Sequence, residues 1–272
     1  MIYPFDFHTH TYLCDGKDTI EDIVKSACDK ELKAIGFSGH SYTKHAQSYC
    51  MSENDTKNYT EIINNLKQKY KDKIQIYCGI EKDYYSDIDT TDFDYVIGSV
   101  HYVKKDGKYL DVDLSKDDFM NSVITYYNGS VYDFCEDYFK CVADVYNKTS
   151  CNIIGHFDLV TKFNDGNALF DEADPRYIKM ALDTVDKLLK NDVIFEVNTG
   201  AVSRGYKAFA YPSRFILEHI LNNGGNVILS SDAHSKENLC YDFDNAISLL
   251  KQVGFKTVKA FNGKEFFNIN IF

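Results

Sequence analysis

Six of the eight histidines in this chain stand where an apolar stretch gives way to a loop: His8, His10, His40, His101, His156 and His234. Glu81 and Asp232 occupy the same kind of position, and Asp15 lies in the loop after the first histidine pair. Imidazole nitrogens and carboxylate oxygens are the usual donors to divalent zinc, manganese or iron. Spacing strengthens the case. His8 and His10 are two apart, as are Asp232 and His234, so on an extended backbone each pair points to one side. A lone histidine at such a place is commonly a hydrogen-bonded residue and nothing more. A whole set of donors on one edge is costly to bury unpaired, and this pattern points to metal binding. His219 sits mid-helix among polar neighbours and reads as a surface residue. His45, in the loop after the second strand, is a candidate to approach a substrate.

These side chains need elements to hold them. The hydrophobic patterning predicts strands over residues 3–10, 34–40, 74–81, 95–103, 151–158, 193–199 and 226–234, with a short closing strand at 256–260. Helices are predicted at 19–33, with Thr19 as N-cap, and at about 55–70, 115–147, 174–190, 213–223 and 239–253. Between the fourth strand and the long helix, the segment KKDGKY reads as a polar turn. Strands alternating with helices, without a linker or a shift in composition, give seven β/α units in one domain spanning 1–272. No G-x-G-x-x-G follows the first strand, and the candidate ligands come from all the strands. That favours a closed or nearly closed parallel barrel over a doubly wound sheet, with its site at the C-terminal strand ends.

Composition narrows the function classes. The chain has 272 residues, 44% hydrophobic, enough for a sizeable core. A net charge of −11 argues against a general binder of nucleic acid or anionic membranes, which needs a basic face. It leaves anionic small molecules open, because bound divalent cations reverse the local field. No apolar run reaches the roughly 18–20 residues of a membrane span. The start, MIYPFDFHTHTY, lacks the pattern of a signal peptide, so a cytoplasmic protein is expected. The eight cysteines show no C-x-x-C pair and read as reduced thiols, many of them buried.

Taken in order, the motifs HTH (8–10), Asp15, GFSGH ending at His40, GIE ending at Glu81, SVH ending at His101, GHFDLV opening on Gly155-His156 and SSDAH with Asp232 and His234 resemble the polymerase-and-histidinol-phosphatase (PHP) family. The resemblance covers essentially the whole chain. GHFDLV, EVNTG and SSDAH look most like the histidinol-phosphatase branch. It departs in three places: SGH where many members have an acidic residue before the histidine, Asp15 where some have His, and Lys162 where Arg is more usual.

The resemblance implies a distorted (β/α)7 TIM-like barrel and three divalent metal ions, zinc, manganese or iron. His8, His10, Glu81 and Asp232 would hold one ion. Glu81 would bridge to a second, held also by His101 and His156. Asp15, His40 and His234 would hold the third. The implied reaction is hydrolysis of L-histidinol phosphate, a small-molecule phosphate monoester, in histidine biosynthesis. Arg204, in the loop after the sixth strand, and Lys162, after the fifth, are candidates to clamp phosphate oxygens. Glu196 and Asn198 share one strand face and receive no role from sequence.

Three other readings compete. A PHP phosphoesterase acting on phosphotyrosine, a nucleotide or an oligonucleotide would use the same ligands. A barrel amidohydrolase also opens with H-x-H, but uses a lysine or further histidine where this chain has Glu81. A metal-dependent binding module would favour a closed, cysteine-rich site.

Overall fold

The computed structural model describes residues 2–272. Seven short parallel strands form the frame: β1 (Phe5–Asp6), β2 (Ala34–Phe37), β3 (Gln75–Asp83), β4 (Tyr95–Ser99), then β7 (Ile153–Ile154), β8 (Ile194–Asn198) and β9 (Asn226–Ser230). They lie side by side in that order. The ring closes where the chain leaves β1 and β9, through a parallel bridge between Thr9 and Ala233. There the His10 amide donates to the Ala233 carbonyl at 2.9 Å, and the Ala233 amide to the His8 carbonyl at 3.2 Å. The fold is the distorted TIM-like barrel that the sequence predicts. The distortion comes from β9, which also pairs with β10 (Thr257–Phe261), extended by the antiparallel β11 (Phe266–Asn270).

The connecting helices are α1 (Ile20–Asp29), α2 (Glu53–Lys69), α3 (Lys116–Tyr127), α4 (Val131–Thr149), α5 (Pro175–Leu188), the single turn α6 (Gly200–Ser203), α7 (Arg214–Asn222) and α8 (Phe243–Val253). Their starts are written locally. The Thr19 hydroxyl accepts the Asp22 amide at α1, Ser52 and Asp55 form a capping box at α2, and Asp174 caps α5 just before Pro175. Among the described residues no helix is long and apolar enough to cross a membrane.

Three elements differ from the sequence reading. The long helix over 115–147 is two helices, because Asn128 (φ 52°) and Gly129 (φ 82°) leave the right-handed region. The KKDGKY segment is part of a β-hairpin, β5 (Tyr102–Lys105) and β6 (Lys108–Asp111), turned by Asp106 (φ 47°) and Gly107 (φ 77°). The closing strand is followed by β11, which the sequence reading lacks.

Aromatic packing sets the barrel interior beneath the site. Tyr95 is buried, with its ring against Phe7 and Phe261. Its hydroxyl donates to the Phe7 carbonyl at 2.5 Å. Gly36 and Gly79 make room for this ring, since a Cβ at either would collide with it. The tether fixes the backbone immediately before His8.

Candidate metal centre

Each ligand candidate is placed by the end of a barrel strand. His8 and His10 follow β1, His40 follows β2, Glu81 lies on β3, His101 follows β4, His156 follows β7, and Asp232 and His234 follow β9. Asp15 approaches from the loop before α1. Three groups of donors converge: His8, His10 and Asp232; His10, Asp15, His40 and His234; His40, Glu81 and His101. His156 joins through Glu81, its Nε2 lying 2.9 Å from Oε1. All nine predicted side chains therefore meet in one cluster.

Donors around an ion at about 2.0–2.2 Å in tetrahedral array stand roughly 3.3–3.6 Å from one another. Glu81 Oε2 is 3.4 Å from His8 Nε2 and 3.6 Å from His10 Nε2, and Asp232 Oδ1 is 3.7 Å and 3.1 Å from the same two nitrogens. Glu81 Oε1 lies 3.5 Å from His101 Nε2. Asp15 lies 3.6 Å from His40 Nε2 and 3.1 Å from His234 Nε2. His8 Nε2, His10 Nε2 and Glu81 Oε2 are buried and make no hydrogen bond. Buried donors at ion-sharing spacing, all nitrogen and oxygen, fit divalent cations. His40 also reaches Glu81 Oε2 through Nδ1 at 2.8 Å, so its ring spans two of the groups.

The carboxylates and imidazoles of the cluster act strongly on one another. Burial alone would lower the His8 pKa, but Glu196, Glu81 and Asp232 raise it well above the usual imidazole value. Burial would raise Glu81, yet His40, His8 and His101 hold it well below the carboxylate range. Asp232 is likewise held down against its burial, by Arg204 and then His8. Burial together with His234 and His40 brings His10 down to about 3, which leaves its ring neutral and its lone pair available at neutral pH.

A second layer of contacts orients these donors. The Glu196 carboxylate meets His8 Nδ1 at 2.6 Å and accepts the His156 amide at 2.8 Å; Asn198 donates to it at 2.9 Å. This is the carboxylate–histidine pairing that sets tautomer and ring angle in metal sites. Sequence put Glu196 and Asn198 on one face without a role. Asp83 was missed altogether. It meets His101 Nδ1 and accepts the His101 amide, both at 3.2 Å. Its signal was present: Asp83 is two residues past Glu81 on the same strand, so the two side chains share a face.

Of the two phosphate-clamp candidates, Arg204 donates through Nη2 to Asp232 Oδ2 at 3.1 Å, and its Nη1 lies 2.8 Å from His234 Nδ1. Lys162 donates to the Asp113 carboxylate at 2.9 Å and to its carbonyl at 2.8 Å. Both line an open cavity of ≈ 440 Å³ above the donors, together with His45. His219 is elsewhere, on α7, 2.7 Å from Asp186. All eight cysteines are free thiols.

The family model described as PHP domain matches residues 6–200. The chain is 26% identical to the protein described as "Probable histidinol-phosphatase" of Schizosaccharomyces pombe, across 92% of this chain and 87% of that one. It is 23% identical to the histidinol-phosphatase of Bacillus subtilis, across 88% and 96%. Its fold matches the crystal structure of histidinol phosphate phosphatase from Lactococcus lactis, complexed with zinc, L-histidinol and phosphate. That match has a TM-score of 0.72 and 21% identity over 97% of this chain and 98% of that one.

Proposed function

Because the chain belongs to the PHP domain family, we propose that it is a histidinol-phosphatase, a single domain over 1–272 that hydrolyses L-histidinol phosphate to L-histidinol and phosphate. The observation that carries this reading is the convergence of nine nitrogen and oxygen donors beneath an open cavity. The relatives named above support the substrate, and the zinc, L-histidinol and phosphate bound by the Lactococcus protein support the chemistry.

Three divalent ions are assigned, drawn from zinc, manganese and iron. His8, His10, Glu81 and Asp232 would hold the first, Glu81, His101 and His156 the second, and Asp15, His40 and His234 the third. When bound, such ions neutralise phosphoryl oxygens and make water acidic enough to attack near neutral pH. The chain supplies orientation. Glu196 holds the His8 ring through Nδ1, leaving Nε2 to face the ion, and Asp83 does the same for His101. Arg204 is braced between Asp232 and His234, which sets its guanidinium at the cavity wall for phosphate oxygens. Lys162, anchored by Asp113, provides a second positive charge on that wall.

The test is phosphate release from L-histidinol phosphate, phosphotyrosine, a nucleoside monophosphate and an aryl phosphate, with zinc or manganese added separately. Strong preference for L-histidinol phosphate is expected, abolished by Asp232→Ala. Preference for another ester would keep the centre and discard the substrate. Silence on all four would discard both.

A further inference from the structure

The cavity is lined by two chemically unlike sets of side chains. Around the metal centre it carries Arg204 and Lys162, suited to an anion. Its other wall comes from the β5–β6 hairpin and the 41–51 loop. In an antiparallel pair, directly opposed residues share a face. Tyr102 opposes Asp111 and Lys104 opposes Tyr109, so these four side chains lie on one face of the hairpin. His45 meets that face, stacked on Tyr109 with ring centroids 3.6 Å apart and planes 7° apart, and edge-on to Tyr102 at 4.6 Å. Lys104 covers Tyr109 at 5.0 Å, which fixes that ring in place.

Asp111 lies at the end of this aromatic wall. It is part-buried and lines the cavity, and among the described residues no lysine, arginine or histidine stands within salt-bridge distance of it. Asp113, its neighbour, is already neutralised by Lys162 at 2.9 Å. On the same wall, the His45 Nε2 is buried without a hydrogen-bond partner. Burial, then the charge of Asp113, raises the Asp111 carboxyl pKa.

We propose that Asp111 selects the substrate by pairing with a primary ammonium on the leaving alcohol, while His45 and the hairpin tyrosines pack against its imidazole ring. This rests on the histidinol-phosphatase reading and adds to it the residues that choose the substrate. A phosphate monoester whose anionic group sits at the donor cluster would then present its cationic end to Asp111 on the aromatic wall. The hairpin is a specificity element, separate from the groups that hold the metals.

The test compares metal-loaded wild type with Asp111→Asn, measuring kcat/KM for L-histidinol phosphate and for a neutral aryl phosphate. The ratio of the two is expected to fall on the order of tenfold to a hundredfold in Asp111→Asn, the range of a lost charge-assisted hydrogen bond. The loss should appear chiefly in KM. Inhibition of aryl phosphate hydrolysis by L-histidinol should weaken in parallel. Tyr109→Leu should lower the same ratio, and Tyr109→Phe should restore it. Equal loss on both substrates, or a ratio unchanged in Asp111→Asn, overturns the proposal. Wild type that cleaves the aryl ester without preferring L-histidinol phosphate overturns the earlier reading instead.

Discussion

The floor and the roof of the cavity are built on different principles. The floor consists of side chains at the ends of parallel strands. Glu81 is paired on both sides within its strand and the other donors stand just past the strand ends, so His8, His10, Glu81 and Asp232 are almost wholly buried. The roof is a two-stranded hairpin and a loop, held by ring stacking such as His45 on Tyr109 and by the Lys104 amide donating to the Tyr85 hydroxyl at 3.1 Å. Two-stranded hairpins are marginal by themselves and depend on such contacts. The difference teaches that reaction chemistry is entrusted to the rigid frame and substrate choice to the part that can be re-cut without disturbing it.

The largest expected effect breaks the floor. Asp232→Ala removes a carboxylate that faces His8, His10 and Arg204. Activity should fall by at least about a thousandfold, in keeping with loss of metal-assisted chemistry, and elemental analysis should show less bound metal. Full metal content with full activity would refute the floor as described. Next comes the layer beneath it. Glu196→Gln keeps the shape but weakens the contact with His8 Nδ1, and metal affinity should drop by roughly ten- to a hundredfold, read by competition with a chelator. An unchanged affinity would make Glu196 a packing residue only.

The roof should respond differently. Gly107 sits at φ 77° with nothing near its missing Cβ. Gly107→Val strains the turn by about 1–2 kcal/mol without a steric clash. KM for L-histidinol phosphate should rise while metal content stays at the wild-type level; loss of metal would show that floor and roof are not independent. Tyr95→Phe, below the floor, removes the bond to the Phe7 carbonyl and should cost about 1 kcal/mol of stability in denaturant titration. The smallest effect belongs to His219→Ala, whose exposed pair with Asp186 should change stability by less than about 1 kcal/mol and leave turnover as it was.

The floor was legible in sequence; of the roof, only His45 was. H-x-H can be read because extended backbone alternates sides every residue, so spacing of two already states a shared direction; the D-x-H pair converges differently, since Asp232 stands at φ 49° just past the strand. Asp83 obeys the same rule after Glu81, but its meaning depends on His101 arriving from the neighbouring strand. Glu196 was visible on its face, and its role appears only with His8 Nδ1 placed 2.6 Å away. The hairpin arms YVKK and KYLD are short and half polar. Their Asp106-Gly107 segment read as a polar turn without strand arms, since a four-residue strand carries too little hydrophobic alternation to announce itself. The break at Asn128-Gly129 was hidden by apolar spacing that runs on through both helices.

The bridge between Thr9 and Ala233 gives the centre a place in time. His8 and His10 are made more than 200 residues before Asp232 and His234, so the earlier donors must wait for the later ones. Closing the ring and completing the donor set are one event, made between residues more than 200 apart in sequence, the kind of contact that forms slowly. A partly made chain offers loose histidines with no finished cage. The donor set is thereby completed only when two segments more than 200 residues apart have met.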